Sequence, residues 1–321
     1  MKPVHGSPAS PDFGEQTGAE VPLKGELKAF YDGTGYAGEA RATGELPPAD
    51  GQVGPGMMKP PVWTWEVPVY FWFGGIASGA AFVALACDLA GDERSARRAR
   101  LVSLAAVGPC PPLLVMDLGR PERFLNMLRV FKTRSPMSMG AWALTVFGNI
   151  GAAAVGADLL GRRRTAQALG AANALVAGYL GSYTGVLLAS TAVPVWAKSR
   201  LFLGPIFVST ATATGAAAVR LVCADADSRK ALGHVQAGAM ACELILSEIN
   251  ERRLGKHAAH GKPMKAAKWL TRLGLAAQAT RRTGPLPSVI YLAAGLLFRF
   301  AWVEAGKHSA RDDHSVAAQA R

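Results

Sequence analysis

The feature that most limits the fold of this chain is a series of apolar stretches, each close to the roughly 20 residues that a helix needs to cross a bilayer. With 50% hydrophobic and 18% charged residues among 321, the chain is too apolar for an ordinary soluble domain and too long for a single span. The sequence therefore predicts an all-α, multi-pass protein of the cell (inner or cytoplasmic) membrane. Its seven candidate spans are Val67–Ala90, Arg100–Leu118, Met137–Leu160, Ala166–Ser190, Leu201–Ala224, Ala231–Ile249 and Leu286–Trp302.

An eighth candidate helix, Ala266–Ala279, is apolar on one face only, because it carries Lys268, Arg272 and Gln278. Two interpretations stay open for this segment. It is either a short span buried against its neighbours or an amphipathic helix that lies in the membrane interface.

The two ends of the chain differ in composition from its middle. Gly, Pro, Asp and Glu dominate residues 1–60, and no apolar run there reaches helical length. We therefore expect a disordered or partner-wrapped tail. A transmembrane domain at 61–305 and a C-terminal tail at 306–321 complete the expected organisation.

The formal net charge of +12 would suit a nucleic-acid-binding protein, but the positions of the basic residues indicate another partner. Lys and Arg lie in short loops between apolar runs, as in ERSARRAR (93–100), GRRRT (161–165) and NERRLGK (250–256). Basic residues at helix ends typically contact lipid headgroups. The sequence therefore predicts the lipid bilayer, and no nucleic acid, as the partner of these loops.

The positions of cysteine and histidine indicate that this chain has no redox centre of its own. Its four cysteines lie in separate apolar runs with no CxxC pair, which excludes an iron–sulfur cluster or a zinc site. A haem inside the bilayer needs two facing histidines, whereas only His234 lies at the edge of a candidate span. We therefore expect no haem, no iron–sulfur cluster and no metal site. The cysteines, interpreted as small core residues, are Cys87, Cys110, Cys223 and Cys242.

The stretch from Pro112 to Trp142 changes from apolar to charged within a few residues. Just before it, Gly108–Pro112 holds three prolines within four residues. This predicts a kinked or unwound helix, packed inside protein or beside a polar cavity. Asp117 follows between apolar neighbours, where a carboxylate needs a partner, and Arg120 and Arg123 come about one turn later. The three residues form either a plain ion pair at a helix end or part of a site.

Helix polarity predicts that several polar side chains share one membrane face. Successive spans run in opposite directions. The start of the first span, the end of the second, the start of the third and the end of the fourth therefore lie on the same side of the membrane. A functional site would collect polar residues at this face, whereas simple helix anchors need no common location. The residues concerned are Glu66, Tyr70, Asp117, Arg120, Arg123 and Tyr183.

Two further local patterns carry predictions. The small residues of Gly74–Gly79 allow a second helix to approach the first span closely, and Ser135 before Pro136 is typical of a helix cap. Charged residues in the later spans are compatible with a proton path or with structural pairing. These are Glu243, Glu248, Arg299 and Glu304.

Five motifs in order along the chain carry a family resemblance. They are WEVPVYFWFGGIASG (65–79), DLGRPERF (117–124), RSPMSMG (134–140), SYTGVLL (182–188) and LLFRFAWVEAG (296–306). Together they resemble the NrfD-type family, the polysulfide reductase membrane subunits, over about Trp63 to Lys307. The resemblance implies about eight transmembrane helices in two four-helix bundles, with Ala266–Ala279 as an unusually short and polar seventh helix.

The resemblance also implies a function. Proteins of this family are cofactor-less membrane subunits that pass electrons between membrane quinone, either menaquinone or ubiquinone, and a partner protein. The implied partners are a ferredoxin-like iron–sulfur subunit and a molybdopterin catalytic subunit, in a complex like formate dehydrogenase or polysulfide reductase. Such a chain would be the quinone-reactive part of an enzyme and would not be active alone.

By position within the family, the resemblance implies that Glu66, Tyr70 and Tyr183 line the quinone pocket. We expect Tyr183 and either Glu66 or Tyr70 to hydrogen-bond the quinol hydroxyls, while a nearby carboxylate accepts the proton. Asp117, tuned by Arg120 and Arg123, is a second candidate for proton handling. The alternatives are a purely structural membrane anchor for such a complex and, less favoured by the absence of a repeated helix break, a secondary transporter.

Overall fold

The computed structural model describes residues 58–117, 128–129, 131–255, 261–280, 284–312 and 316. The described residues form helices and no strands, which confirms the all-α prediction. In chain order the helices are α1 (Glu66–Leu89), α2 (Glu93–Val107), α3 (Cys110–Asp117), α4 (Pro136–Leu159), α5 (Arg163–Ala189), α6 (Pro194–Lys198), α7 (Arg200–Val222), α8 (Ala226–Leu254), α9 (Lys262–Ala279) and α10 (Leu286–Arg311).

Six helical segments in the described part of the chain are long and apolar enough to cross a membrane. They are α1, the combined α2 and α3, α4, α5, α7 and α10. All six were predicted as spans, and a multi-pass membrane protein is therefore the correct class. The remaining predicted span, Ala231–Ile249, lies within α8, and the eighth candidate helix, Ala266–Ala279, lies within α9. Both helices are long enough to cross a membrane but more polar in composition than the other six.

In α8, polar side chains are buried and several apolar side chains are exposed. Its buried side chains include Gln236, Glu243 and Asn250, whereas its exposed side chains include Val235 and Ile245. A helix in water shows the opposite pattern, with its apolar stripe facing the core. The low average hydropathy of α8 thus results in part from polar side chains that point into the protein, while apolar residues such as Val235, Ile245 and Ile249 lie on its outer face.

The helices pack as two four-helix rings that share a long interface. In the first ring α1, α2, α4 and α5 each contact the next, and the ring closes between α5 and α1. In the second ring α7, α8, α9 and α10 close in the same way, although α8 and α9 pack only sparsely. The rings meet where α7 packs on α1 and α5. This agrees with the expected pair of four-helix bundles.

Alternating helix directions define two ends of the molecule. We call the end where α1, α4 and α7 begin the motif end, and the end where α2, α5 and α8 begin the far end. At the motif end Ser135 caps α4 as predicted, since its side chain accepts a hydrogen bond from the amide of Ser138. At the far end the tight turns after α1 and α4 use Gly91 and Gly161 with φ of 76° and 70°, which suit glycine.

The close approach between the rings occurs at Gly79 of α1. A methyl group on Gly79 would overlap the backbone carbonyl of Ala211 on α7, and one on Gly215 would overlap the backbone of Gly79. The two helices are therefore in backbone contact, as small residues permit in membrane helices. This confirms the prediction made from the small residues of Gly74–Gly79, although Gly74 itself has no atom within 4 Å of such a methyl group.

One basic residue of the predicted headgroup-anchoring loops lies inside the protein. Arg100 of α2 is buried, and its Nε and Nη1 lie 2.6 Å from carboxylate oxygens of Asp158 and Asp88, respectively. The three residues connect α2 to α4 and α1 at the far end. For Arg100 the prediction of a lipid-facing anchor is therefore wrong, because two carboxylates distant in sequence compensate its charge.

Candidate functional site

Two buried tyrosines lie at the motif end of the first ring. Tyr70 projects from the second turn of α1, and Tyr183 lies near the end of α5. They are close enough to interact electrostatically. The Tyr183 ring also lies against Gly140 of α4 so closely that a methyl group there would overlap it. Helices α1, α4 and α5 therefore hold the two phenols together.

A carboxylate lies one turn before Tyr70 on the same helix. Glu66 is the first residue of α1, is buried, and accepts a hydrogen bond from the hydroxyl of Thr64. A carboxylate in the first turn is favoured by the positive end of the helix dipole. The structure thus places Glu66, Tyr70 and Tyr183, which the family resemblance assigned to a quinone pocket, at the same end of the first ring.

An apolar cavity of about 330 Å³ lies between the broken second span and α4. The span breaks between Val107 and Cys110, as the prolines predict. Gly108 and Pro111 at the break line one wall of the cavity. On the opposite wall, Ala141 directly follows the glycine that supports Tyr183. The cavity reaches the outer surface at the exposed Asn149, so the lipid side has access to this part of the ring.

Asp117 ends α3 at the motif end and is partly buried. Its location on the same membrane face as the tyrosines agrees with the alternating helix directions. Arg120 and Arg123, the residues expected to tune it, lie outside the described residues. The pairing within this motif therefore stays a prediction.

A pair of stacked tryptophan rings beside the site was not predicted from the sequence. Trp63 precedes α1 and stacks on Trp196 of α6, with ring centroids 5.5 Å apart. Trp196 is fully buried, and its Nε1 donates a hydrogen bond of 2.9 Å to the carbonyl of Trp302 on α10. A methyl group on Gly306 would overlap the Trp196 ring. Trp63 thus helps to join the two rings at the motif end, and no local pattern in the sequence could have indicated this.

The other charged and sulfur-containing candidates divide between the interior and the surface. Glu243 and Arg299 are buried inside the second ring, while Glu304 is exposed and Glu248 pairs with Arg252 on the surface. Cys110 and Cys223 are buried as expected and Cys87 is partly buried, whereas Cys242 is exposed, so its interpretation as a core residue is wrong. Within the described ranges, no group of three or more His, Cys, Asp or Glu is arranged to hold a metal ion.

Comparison with known proteins finds a matching protein family and a relative. The family model described as polysulphide reductase, NrfD matches residues 53–248, which include all of α1 to α7 and most of α8. The C chain of polysulfide reductase from Wolinella succinogenes is 29% identical over 92 residues, which is 27% of this protein and 29% of that one. The aligned part therefore spans less than a third of the relative's length.

Proposed function

Because this chain belongs to the NrfD polysulphide reductase family, we propose that it is the quinone-reactive membrane subunit of a multi-subunit oxidoreductase. The observation that carries the proposal is the grouping of Glu66, Tyr70 and Tyr183 at one end of the first ring. A cavity that opens toward lipid reaches Ala141, the neighbour of the glycine beneath Tyr183, although its lining does not include the three polar side chains. The binding of quinone and the partner proteins are parts of this proposal.

The chemistry of the three side chains suits a quinone headgroup. A quinone presents two carbonyl oxygens, which phenol groups such as those of Tyr70 and Tyr183 can bind as hydrogen-bond donors. Oxidation of a quinol releases two electrons and two protons, and Glu66 can accept a proton from a hydroxyl within hydrogen-bond reach. The apolar cavity provides a path for a lipid-soluble molecule, and its size of about 330 Å³ is within the range of small-molecule sites.

The protons and the electrons of this reaction take different routes. Glu66 lies at the start of α1, so a proton bound there can leave at the motif end. Asp117 ends α3 at the same face and provides a second carboxylate for this transfer. Electrons would pass to an iron–sulfur cluster of a ferredoxin-like partner docked at the motif end, and from there to a molybdopterin catalytic subunit. The relative from Wolinella succinogenes carries the name of such a multi-subunit enzyme.

A pair of tyrosine variants tests the proposal. Tyr183→Phe removes the buried phenol oxygen, while Tyr179→Phe removes a phenol that lies four residues earlier on α5 and is less buried. We expect Tyr183→Phe to lower quinol oxidation by the intact complex in membranes by roughly tenfold or more, and Tyr179→Phe to leave it nearly unchanged. Glu66→Gln should lower the rate and change its dependence on pH.

Binding of a quinone analogue to the purified complex separates the proposal from the structural-anchor alternative. An anchor would hold its partners yet bind no analogue, and it would tolerate both Tyr183→Phe and Glu66→Gln. The transporter alternative predicts a broken helix at matching places of two repeats. The second helix of the second ring, α8, is continuous over 29 residues, in contrast to the broken second span of the first ring.

A further inference from the structure

A crevice of about 470 Å³ separates α8 from α9 on the outer surface of the second ring. It occupies the half of the two helices that is nearer the motif end, where they pack only sparsely. In the other half the helices are in contact, since a methyl group on Gly274 of α9 would lie 2.9 Å from Cε of Met240 on α8. The crevice is lined by side chains between Leu244 and Arg252 of α8 and by Lys268 and Arg272 of α9.

The charged end of this crevice lies at the level of the lipid headgroups. α8 has 29 residues, or roughly 43 Å at a rise of about 1.5 Å per residue, which exceeds the roughly 30 Å of bilayer hydrocarbon. Its last turn holds Glu251 and Arg252 and follows the apolar stretch Ala231–Ile249, so it extends beyond the hydrocarbon. Lys268 reaches the same level, because its Nζ lies 2.6 Å from Glu251 Oε2. The exposed Trp269 beside it also suits the headgroup region, where tryptophan is enriched.

Deeper in the membrane, the α8 wall of the crevice is apolar. Ile249 lies about one turn before Arg252, and Ile245 lies seven residues before it, or roughly 10 Å along the helix axis. The side chains of Ile249 and Ile245 are 47% and 59% exposed. The crevice thus combines charged groups at the headgroup level with an exposed apolar wall below them. A phospholipid has the same distribution of polarity.

The charges of the crevice leave one basic group without a counter-charge. Arg252 Nε lies 3.2 Å from Glu248 Oε1, and Lys268 is paired with Glu251. Arg272, one turn after Lys268, is exposed and forms no ion pair with any residue that the structure describes. An unpaired charge is costly in a membrane helix, although the long arginine side chain can extend toward the headgroups. The crevice therefore lacks one negative charge.

We propose that the crevice between α8 and α9 is a binding site for an anionic phospholipid of the leaflet at the motif end. The phosphodiester group of the lipid carries one negative charge and binds Arg272, whose planar guanidinium can donate two parallel hydrogen bonds to phosphate oxygens. An acyl chain lies along Ile245 and Ile249 and fills the space that the two helices leave between them. This binding does not depend on the proposed quinone reaction.

The shape and polarity of the crevice favour a lipid over two other occupants. A helix of a partner subunit is roughly 10–12 Å across and would lie over the opening without filling the space between α8 and α9. A soluble anion would compensate Arg272 but would leave the exposed isoleucines uncovered. A phospholipid provides both the negative charge and the narrow apolar chain.

Lipid binding to the purified, intact complex tests the site directly. The complex is delipidated in a mild nonionic detergent, and native mass spectrometry counts the molecules of phosphatidylglycerol or phosphatidylcholine that bind at equal concentrations. We expect Arg272→Gln to lower the affinity for phosphatidylglycerol at one site by about fivefold or more, the effect of one basic residue at an anionic lipid surface. Arg272→Lys, which keeps the charge, should retain most of the affinity.

A matched control removes a positive charge from the same helix outside the crevice. Lys265 of α9 is exposed and does not line the crevice. Lys265→Gln should therefore bind phosphatidylglycerol with the affinity of the wild type. Binding of phosphatidylcholine, which has no net charge, should be the same in all variants.

Thermal unfolding distinguishes a lipid site from an arginine with a purely structural role. Without anionic lipid, Arg272→Gln should be as stable as the wild type or slightly more stable, because the lost charge has no partner. Added phosphatidylglycerol should raise the unfolding midpoint of the wild type and of Lys265→Gln, since a ligand of the folded state stabilises it. It should raise the midpoint of Arg272→Gln much less. Soluble glycerol phosphate, which lacks acyl chains, should raise none of them.

Two outcomes would overturn the proposal. Equal affinity of Arg272→Gln and wild type for phosphatidylglycerol would do so, and this is the result expected if a partner subunit covers the crevice. Equal stabilisation by glycerol phosphate and phosphatidylglycerol would indicate a site for a soluble anion instead. If Arg272→Gln does not assemble, Arg252→Gln should weaken lipid binding in its place, because it removes an exposed base and leaves Glu248 uncompensated.

Discussion

The ring of Tyr183 lies directly on the backbone of Gly140, where any side chain would overlap it. This contact joins α5 to α4 at the motif end and fixes the position of a phenol that we assign to quinone binding. The absence of a side chain at position 140 is thus a condition for the geometry of the site.

Gly140→Ala should lower quinol oxidation by roughly tenfold to a hundredfold, because a ring displaced by about an ångström loses its alignment with the bound headgroup. The rate is measured in membranes that contain the complete complex. Gly156→Ala on the same helix is the control, since a methyl group there meets no atom within 4 Å. Equal rates for the two variants would contradict the placement of Tyr183 in the site.

Gly79→Ala should destabilise the protein, since the added methyl group overlaps Ala211 and forces α1 and α7 apart. Overpacking of this kind costs about 1–3 kcal/mol. The midpoint of thermal unfolding in mild detergent measures the effect. Gly74→Ala, five residues earlier and free of contacts within 4 Å, should leave the midpoint unchanged or raise it slightly. A similar decrease in both variants would show that the close crossing is not the cause.

Arg100→Met should be more destabilising than Gly79→Ala, at about 3–5 kcal/mol, because it leaves the buried carboxylates of Asp88 and Asp158 without a compensating charge. The free energy of unfolding is compared with that of Arg163→Met, which breaks an exposed ion pair with Glu93. The exposed pair should contribute no more than about 1 kcal/mol.

A double substitution provides the complementary check on the buried cluster. Adding Asp88→Asn and Asp158→Asn to Arg100→Met removes the uncompensated negative charge. The triple variant should therefore recover part of the lost stability. If it is less stable than Arg100→Met, the charge balance is not what holds these three helices together.

Ser228→Ala should destabilise the protein at neutral pH and have a smaller effect in acid. Burial raises the pKa of Asp92, but hydrogen bonds from Ser228 and Ser95 outweigh it and lower this pKa below the ordinary 3.8. A carboxyl group whose pKa is lower in the folded state stabilises that state at any pH above its unfolded-state pKa. This stabilisation is lost as the pH falls through the folded-state pKa.

The unfolding midpoint measured from neutral pH to below 3.8 checks this prediction. The difference in unfolding midpoint between wild type and Ser228→Ala should stay constant as the pH falls to about the ordinary pKa of the carboxyl group, and should then decrease. Thr280→Ala at the same end removes a hydroxyl that, among the described residues, donates its hydrogen bond to the carbonyl of Ala277 on its own helix, so its effect should not depend on pH. A difference that grows in acid would contradict the assignment to the carboxylates of Asp92 and Asp225, both of which lie within hydrogen-bond distance of the Ser228 hydroxyl.

Local patterns in the sequence were sufficient for features that depend on neighbouring residues. The prolines from Pro109 to Pro112 predicted the helix break, Ser135 predicted the cap of α4, and the small residues around Gly79 predicted a close helix crossing. Helix polarity also predicted that Glu66 and Tyr183 share one end, because alternating directions depend only on the number of spans. These features need no knowledge of distant contacts.

Features that depend on distant residues were not predictable in the same way. Arg100 resembles its basic neighbours in the sequence, and only the folded chain brings Asp158 to it, 58 residues away. The position of Trp196 between Trp63 and Gly306 likewise requires both rings to be in place. Hydropathy averages also hide which side of α8 is polar, because an average over a window discards direction around the helix.

The inward-facing polar stripe of α8 has a practical consequence for experiments on membrane topology. A count of membrane crossings based on average hydropathy omits both α8 and α9. Because two crossings are omitted, the orientation of α10 across the bilayer is the same with six crossings as with eight. A reporter fused after Arg311 would therefore give the same answer for six or eight crossings. A reporter placed at Gly261, between the two omitted helices, would appear on opposite sides of the bilayer in the two cases.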